Sequence, residues 1–169
     1  MGIGVVIDTS FLITLADPAR QHHAVARRYW QHFMEQALPV FLPTIVVSEF
    51  CVRQEIPPEI LRCCVVLPFN WDDAIKAAKL DFKQFKQLVE SRVALKDDVK
   101  IIAQAVVCDA ELVITEDDSL IRIATELKTA GKVAFRTIAL KDGFNRAFFD
   151  PNNQSDFDDA LNQSDDASS

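Results

Sequence analysis

Short β-branched runs alternate with longer amphipathic segments along this chain, a pattern best absorbed by a parallel sheet covered by helices. Val5-Val6-Ile7 is apolar at every residue, as a strand buried on both faces must be. Further strands are expected at Pro39–Leu42, Cys63–Leu67 and 111–115, with a fifth inside Val133–Leu140. Helices are expected over Phe11–Ala16, 20–37, 71–90, 97–109 and 118–129, with another that Thr44 would cap and that carries Glu49. The 71–90 segment has the clearest periodicity, placing Ile75, Ala78, Phe82, Phe85 and Val89 on one stripe. The fold expected is a three-layer α/β/α domain with a central parallel sheet of about five strands.

At 169 residues the chain suits one domain with a sizeable core. Its net charge of −7 is unevenly placed: residues 150–169 hold six Asp and no Lys or Arg, leaving −1 on residues 1–149. The expected division is a domain over 1–149 and an acidic, flexible tail over 150–169, whose bulky apolar residues are Phe157 and Leu161. A nearly neutral body excludes a strongly basic, histone-like binder. Cys51, Cys63, Cys64 and Cys108 lack a CxxC pairing and read as small buried hydrophobes. No segment approaches the ~20 apolar residues of a membrane span, and no basic stretch precedes the first apolar run, so a cytoplasmic location is expected.

Four acids stand where the pattern calls for apolar residues. Asp8 ends the first strand, Glu49 interrupts Ile45 to Val52, Asp98 opens the segment to Val107, and Asp117 follows Leu112-Val113-Ile114-Thr115. A carboxylate beside a core is costly to desolvate unless it is paired or binds a metal. Asp8 and Asp117 should project from the carboxyl ends of strands, where open α/β sheets bind ligands; they converge if the first and fourth strands are neighbours. Asp98 shares a helix face with Ile101, Ile102 and Ala105, whereas Asp97 is rotated by roughly 100° toward solvent. Glu49 shares a face with Ile45, Val46 and Val52. Carboxylates forced together repel unless a cation neutralises them, and an all-oxygen donor set suits Mg²⁺ or Mn²⁺. Such ions support in-line displacement at a phosphodiester.

Ile7-Asp8-Thr9-Ser10 resembles the opening motif of PIN-domain ribonucleases, and Ser48-Glu49-Phe50 their second acid. Asp98 to Ala105 resembles the helix that holds the third acid, and Leu112 to Asp117 the closing strand and fourth acid. Order and spacing agree over about residues 3–140. The resemblance implies a metal-dependent endoribonuclease that leaves a 5′-phosphate and a 3′-hydroxyl. Asp8, Glu49, Asp98 and Asp117 would form the Mg²⁺ or Mn²⁺ site, and Ser10 would support the first acid. Small members of this kind are often toxins of VapBC-type toxin–antitoxin pairs, homodimeric and silenced by an antitoxin protein. Ile102 departs from the family's usual Ala, and the acidic tail has no counterpart in its motifs.

Other residues have plainer roles. Asp118 is expected to cap the helix that follows it rather than bind metal. Thr115 either bonds the fourth acid or simply suits a strand. His22, His23 and His32 are expected to be solvated or packed, and Trp30 and Trp71 to be core or interface anchors. Arg53, Arg92, Lys96 and Lys100 are available to meet RNA phosphates. Two other functions are open: a non-catalytic RNA-binding or protein-interaction module with this fold, and a Mg²⁺-dependent phosphatase with Asp8 as nucleophile. Against the latter, Ser10 stands where such enzymes place a second acid. Glycine-rich phosphate loops and Ser-His-Asp arrangements are absent from the sequence.

Overall fold

The structure is a computed structural model that describes residues 3–87 and 92–150. Five short strands form one sheet: β1 (Val5–Ile7), β2 (Val40–Pro43), β3 (Cys64–Leu67), β4 (Leu112–Thr115) and β5 (Arg136–Ala139). Every pairing is parallel, and the order is β3-β2-β1-β4-β5. Chain order therefore reverses between β1 and β4, the crevice where sheets of this class bind ligands. Val5, Val6 and Ile7 are fully buried, and Ile7 lies in register with Ile114. This register brings the residues after both strands to one edge.

Seven α-helices are described: α1 (Thr9–Ala16), α2 (His23–Glu35), α3 (Thr44–Phe50), α4 (Pro58–Leu61), α5 (Trp71–Lys79), α6 (Arg92–Val107) and α7 (Asp118–Thr129). The result is the three-layer α/β/α arrangement expected from the pattern. Its core is built from β1, β4, the apolar faces of α6 and α7, and Phe11, Tyr29 and Phe33. No described helix is long and apolar enough to cross a membrane.

Several local expectations are corrected. The 71–90 helix ends at Lys79, Asp81 takes a left-handed conformation with φ of 49°, and a 3-10 turn follows at Phe82–Phe85. Val89 lies outside the described residues, as does the tail beyond Asp150. Ile75 is exposed, and the buried residues described in this segment are Asp73, Leu80 and, from the expected stripe, Phe85. Asp73 is buried because it completes a capping box: Asn70 Oδ1 accepts from Asp73 N, and Asp73 Oδ2 accepts from Asn70 N. Trp71 is 77% exposed and so anchors no core, whereas Trp30 packs against it. Cys51 and Cys63 are exposed, and Cys64 and Cys108 are half-buried, so none is the buried hydrophobe expected. The reason at Cys63 and Cys64 is position, because β3 is an edge strand whose Val65 and Val66 are also exposed. Thr44 does not cap α3; its Oγ1 accepts from Phe69 N at 3.2 Å.

Candidate metal centre

The carboxyl edge of the sheet opens into a pocket of about 610 Å³. Asp8, Glu49, Asp98 and Asp117 all line it, although they come from four separate elements. Asp8 follows β1 and is the N-cap residue of α1. Its carboxylate makes no capping bond. Instead Oδ2 accepts from Ser10 Oγ at 2.8 Å and from Thr115 Oγ1 at 2.7 Å. Glu49 sits in the last turn of α3, where Thr9 Oγ1 donates to its Oε2. Asp98 lies in the second turn of α6 rather than at its opening, because that helix already begins at Arg92. Asp117 is the N-cap residue of α7, its Oδ1 accepting from Ser119 N at 2.7 Å and Ser119 Oγ at 2.8 Å. The same Ser119 hydroxyl lies 3.2 Å from Asp98 Oδ2 and is placed to donate there.

Electrostatics separate Asp8, Glu49 and Asp98 from ordinary surface acids. Burial pushes Asp8 above the usual carboxylate range, against the hydrogen bonds from Thr115 and Ser10. Burial raises Glu49 too, with the charges of Asp8, Asp97 and Asp117 adding to it. Asp98 is pushed up to about 8, first by burial and then by the charges of Asp8, Asp117 and Glu49. Only 7% of Asp98 is exposed, so water does little to relieve it. The basic side chain lining the pocket is Arg53. Among the described residues, no three His, Cys, Asp or Glu side chains are placed to hold an ion as they stand. Each carboxylate accepts from hydroxyl or amide donors of the chain instead. The donor set itself, four carboxylates with Ser and Thr hydroxyls beside them, suits a hard divalent cation.

Thr115 and Ser10 do more than a strand or a turn requires. Thr115 Oγ1, fully buried, donates to Asp8 and accepts from Asp117 N at 2.9 Å, so it links the first acid to the backbone of the fourth. Ser10 Oγ accepts from Glu116 N at 2.8 Å. Asp118 is neither cap nor pocket residue: Asp117 holds the cap, and Asp118 is exposed and paired to Lys141 at 2.6 Å. Asp97 pairs with Lys100 at 2.9 Å. Val52 is 82% exposed in the turn after α3 and shares no buried face with Glu49.

Three features of the site lie outside the sequence expectations. Thr9 and Ser119 each follow closely on a pocket acid, and an acid-hydroxyl pair at a strand end was the available signal. The third is a cluster on Glu116, whose carboxylate accepts from Thr14 Oγ1, from Arg20 Nη2 at 3.0 Å and bonds His22 Nδ1 at 2.6 Å. No local motif links residues 96 positions apart. His32 packs on the rings of Phe144 and Phe149, and His23 bonds Thr14 O.

No family model and no curated protein sequence matches the chain. Solved structures do. VapBC2 from Rickettsia felis, bound to a DNA fragment from its promoter, matches at a TM-score of 0.55 with 12% identity, over 80% of this chain and 98% of that one. FitAcB from Neisseria gonorrhoeae matches at 0.55 with 16% identity, over 81% and 98%. VapC20 from Mycobacterium tuberculosis, a toxin that cleaves the sarcin–ricin loop, matches at 0.50 with 17% identity, over 78% and 98%. The likeness is one of fold: a PIN-like three-layer α/β/α domain, as in these VapBC and FitAcB structures.

Proposed function

We propose that this protein is a metal-dependent endoribonuclease in which Asp8, Glu49, Asp98 and Asp117 hold Mg²⁺ or Mn²⁺. The observation that carries the proposal is the convergence of four carboxylates, from four elements, on one pocket at the sheet's switch point. When bound, such ions lower the pKa of a water and offset charge on the phosphodiester. The chain supplies the orientation. Ser10 and Thr115 hold Asp8, Thr9 holds Glu49, and Ser119 lies between Asp98 and Asp117. Burial and the neighbouring charges push Asp98 up to about 8, so a cation bound there would compete with its proton.

The partner we propose, following the toxins that share the fold, is a cognate antitoxin protein, and the chain acts as a homodimer in the cytoplasm. One observation favours the non-catalytic module instead: the carboxylates as placed do not yet enclose an ion. Cleavage of a mixed panel of structured RNAs with Mg²⁺, Mn²⁺ or excess chelator separates the two. Metal-dependent cutting that Asp98→Asn loses supports the nuclease. Cutting that persists in chelator defeats it, and a folded protein that neither cuts nor binds metal is the module.

A further inference from the structure

Basic side chains around the acidic rim are mostly committed to neighbouring acids. Arg20 bonds Glu116, Lys100 bonds Asp97, and Lys141 bonds Asp118. Arg53 differs. It lines the pocket beside Asp8, Asp17, Glu49, Asp98 and Asp117, yet its guanidinium makes no hydrogen bond or ion pair among the described residues. Those five acids find other donors: Thr9 for Glu49, Ser10 and Thr115 for Asp8, Ser119 for Asp98 and Asp117, and Ala19 N for Asp17. The pocket thus serves its carboxylates with neutral hydroxyl and amide groups and leaves its one described cation uncommitted.

An exposed Arg beside buried carboxylates gains most from pairing with them, so an unpaired one is placed for a different anion. Its planar fork matches a phosphate in bidentate fashion, which no other group lining this pocket does. Asp8, Glu49, Asp98 and Asp117 are the groups that would face cations and the scissile phosphate. Arg53, in the turn that follows α3, stands four residues beyond Glu49 on the same wall. We infer that Arg53 binds a backbone phosphate of the substrate strand next to the one that is cut. The inference rests on the nuclease reading and assigns the residue that holds the strand across the pocket.

Steady-state kinetics of wild type, Arg53→Gln, Arg53→Lys and Arg62→Gln tests this, on whichever structured RNA the wild type cuts best, at two salt concentrations. Arg62, which lines no part of the pocket, is the control for lost surface charge. Arg53→Gln should raise KM about tenfold with kcat changed by less than about twofold, as loss of one charge-assisted contact implies. The slope of log kcat/KM against log salt should become shallower by roughly 0.7–0.9. Arg53→Lys should keep the slope while losing part of the affinity. A rise in melting temperature on adding Mn²⁺ should be the same in Arg53→Gln as in wild type. Unchanged KM and slope in Arg53→Gln, with wild type active, overturn the inference and leave the nuclease standing. Loss of the Mn²⁺ response in Arg53→Gln also overturns it, by placing Arg53 in the cation site. A wild type that cuts no RNA removes the nuclease reading and the inference with it.

Discussion

Asp98 and Glu116 are half-buried to buried acids flanking the same strand end, and the protein treats them in opposite ways. Burial alone would raise Glu116, but donors from Thr14, His22 and Arg20 hold its carboxyl below the usual range. Asp98 has only the Ser119 hydroxyl set against burial and three neighbouring charges, and it is pushed up to about 8. Glu116 is an acid satisfied by the protein itself. On the proposed reading, the contrast separates a carboxylate that holds the structure together from those that would take a cation.

The largest expected effect comes from removing the unsatisfied acid. Asp98→Asn should lower RNA cleavage at least about a hundredfold, measured as single-turnover rate with saturating Mn²⁺. The same change should stabilise the metal-free protein at pH 8 by on the order of a few kcal/mol, since it removes a buried charge rather than a contact. Denaturant unfolding in excess chelator checks that second effect. A variant that loses both activity and stability would make Asp98 an ordinary structural acid.

Next in size is Glu116. Glu116→Ala should cost about 1–3 kcal/mol of stability, because Arg20, His22 and Thr14 lose a shared acceptor. Cleavage at a temperature where the variant is folded should fall far less than in Asp98→Asn.

The two acids also predict opposite pH dependence for the metal-free protein. Asp98 is raised, so the folded state holds a proton that the unfolded chain releases near its ordinary pKa. Its stabilising contribution is present in acid and is lost as pH rises from about 4 to about 8. Asp8 and Glu49 are raised as well and act in the same direction. Glu116 is lowered, so its contribution is present above its ordinary value and is lost as pH falls through the folded one. In chelator, melting temperature should therefore fall as pH rises from about 4 to about 8, and Glu116→Gln should flatten only the acid limb. Saturating Mn²⁺ should remove the alkaline fall, since ionised carboxylates then have a partner. Activity should show the complementary trend, lost as pH drops and protons compete with metal.

The smallest effect belongs to the exposed pair of Asp118 and Lys141, where solvent screens both charges. Asp118→Asn should leave melting temperature and cleavage unchanged within error.

How much of this was legible in the sequence differs by element. β1 and β4 were clear because strands buried on both faces are apolar throughout. The positions of Asp8 and Asp117 follow from those two runs once the strands are paired. The 71–90 segment misled because an apolar stripe does not reveal a break inside it. The stretch packs on α6, and the chain turns at Asp81 through a left-handed residue. The cysteines misled for a related reason: an apolar run reads the same at the edge of a sheet as at its centre. Asp117 and Asp118, one residue apart, suit the cap position equally by residue type; the cap falls to Asp117, which thereby turns one oxygen to α7. The Glu116 cluster left no trace, since Arg20 and His22 meet it only through the fold.

The most direct test of the central claim is the Mn²⁺-dependent rise in melting temperature, compared across wild type, Asp8→Asn, Glu49→Gln, Asp98→Asn, Asp117→Asn and Glu116→Gln at one pH. If the four pocket acids form a shared cation site, wild type and Glu116→Gln gain stability with Mn²⁺ while each of the four pocket variants loses most of that gain. Equal gains in all six proteins, or none in wild type, would contradict it.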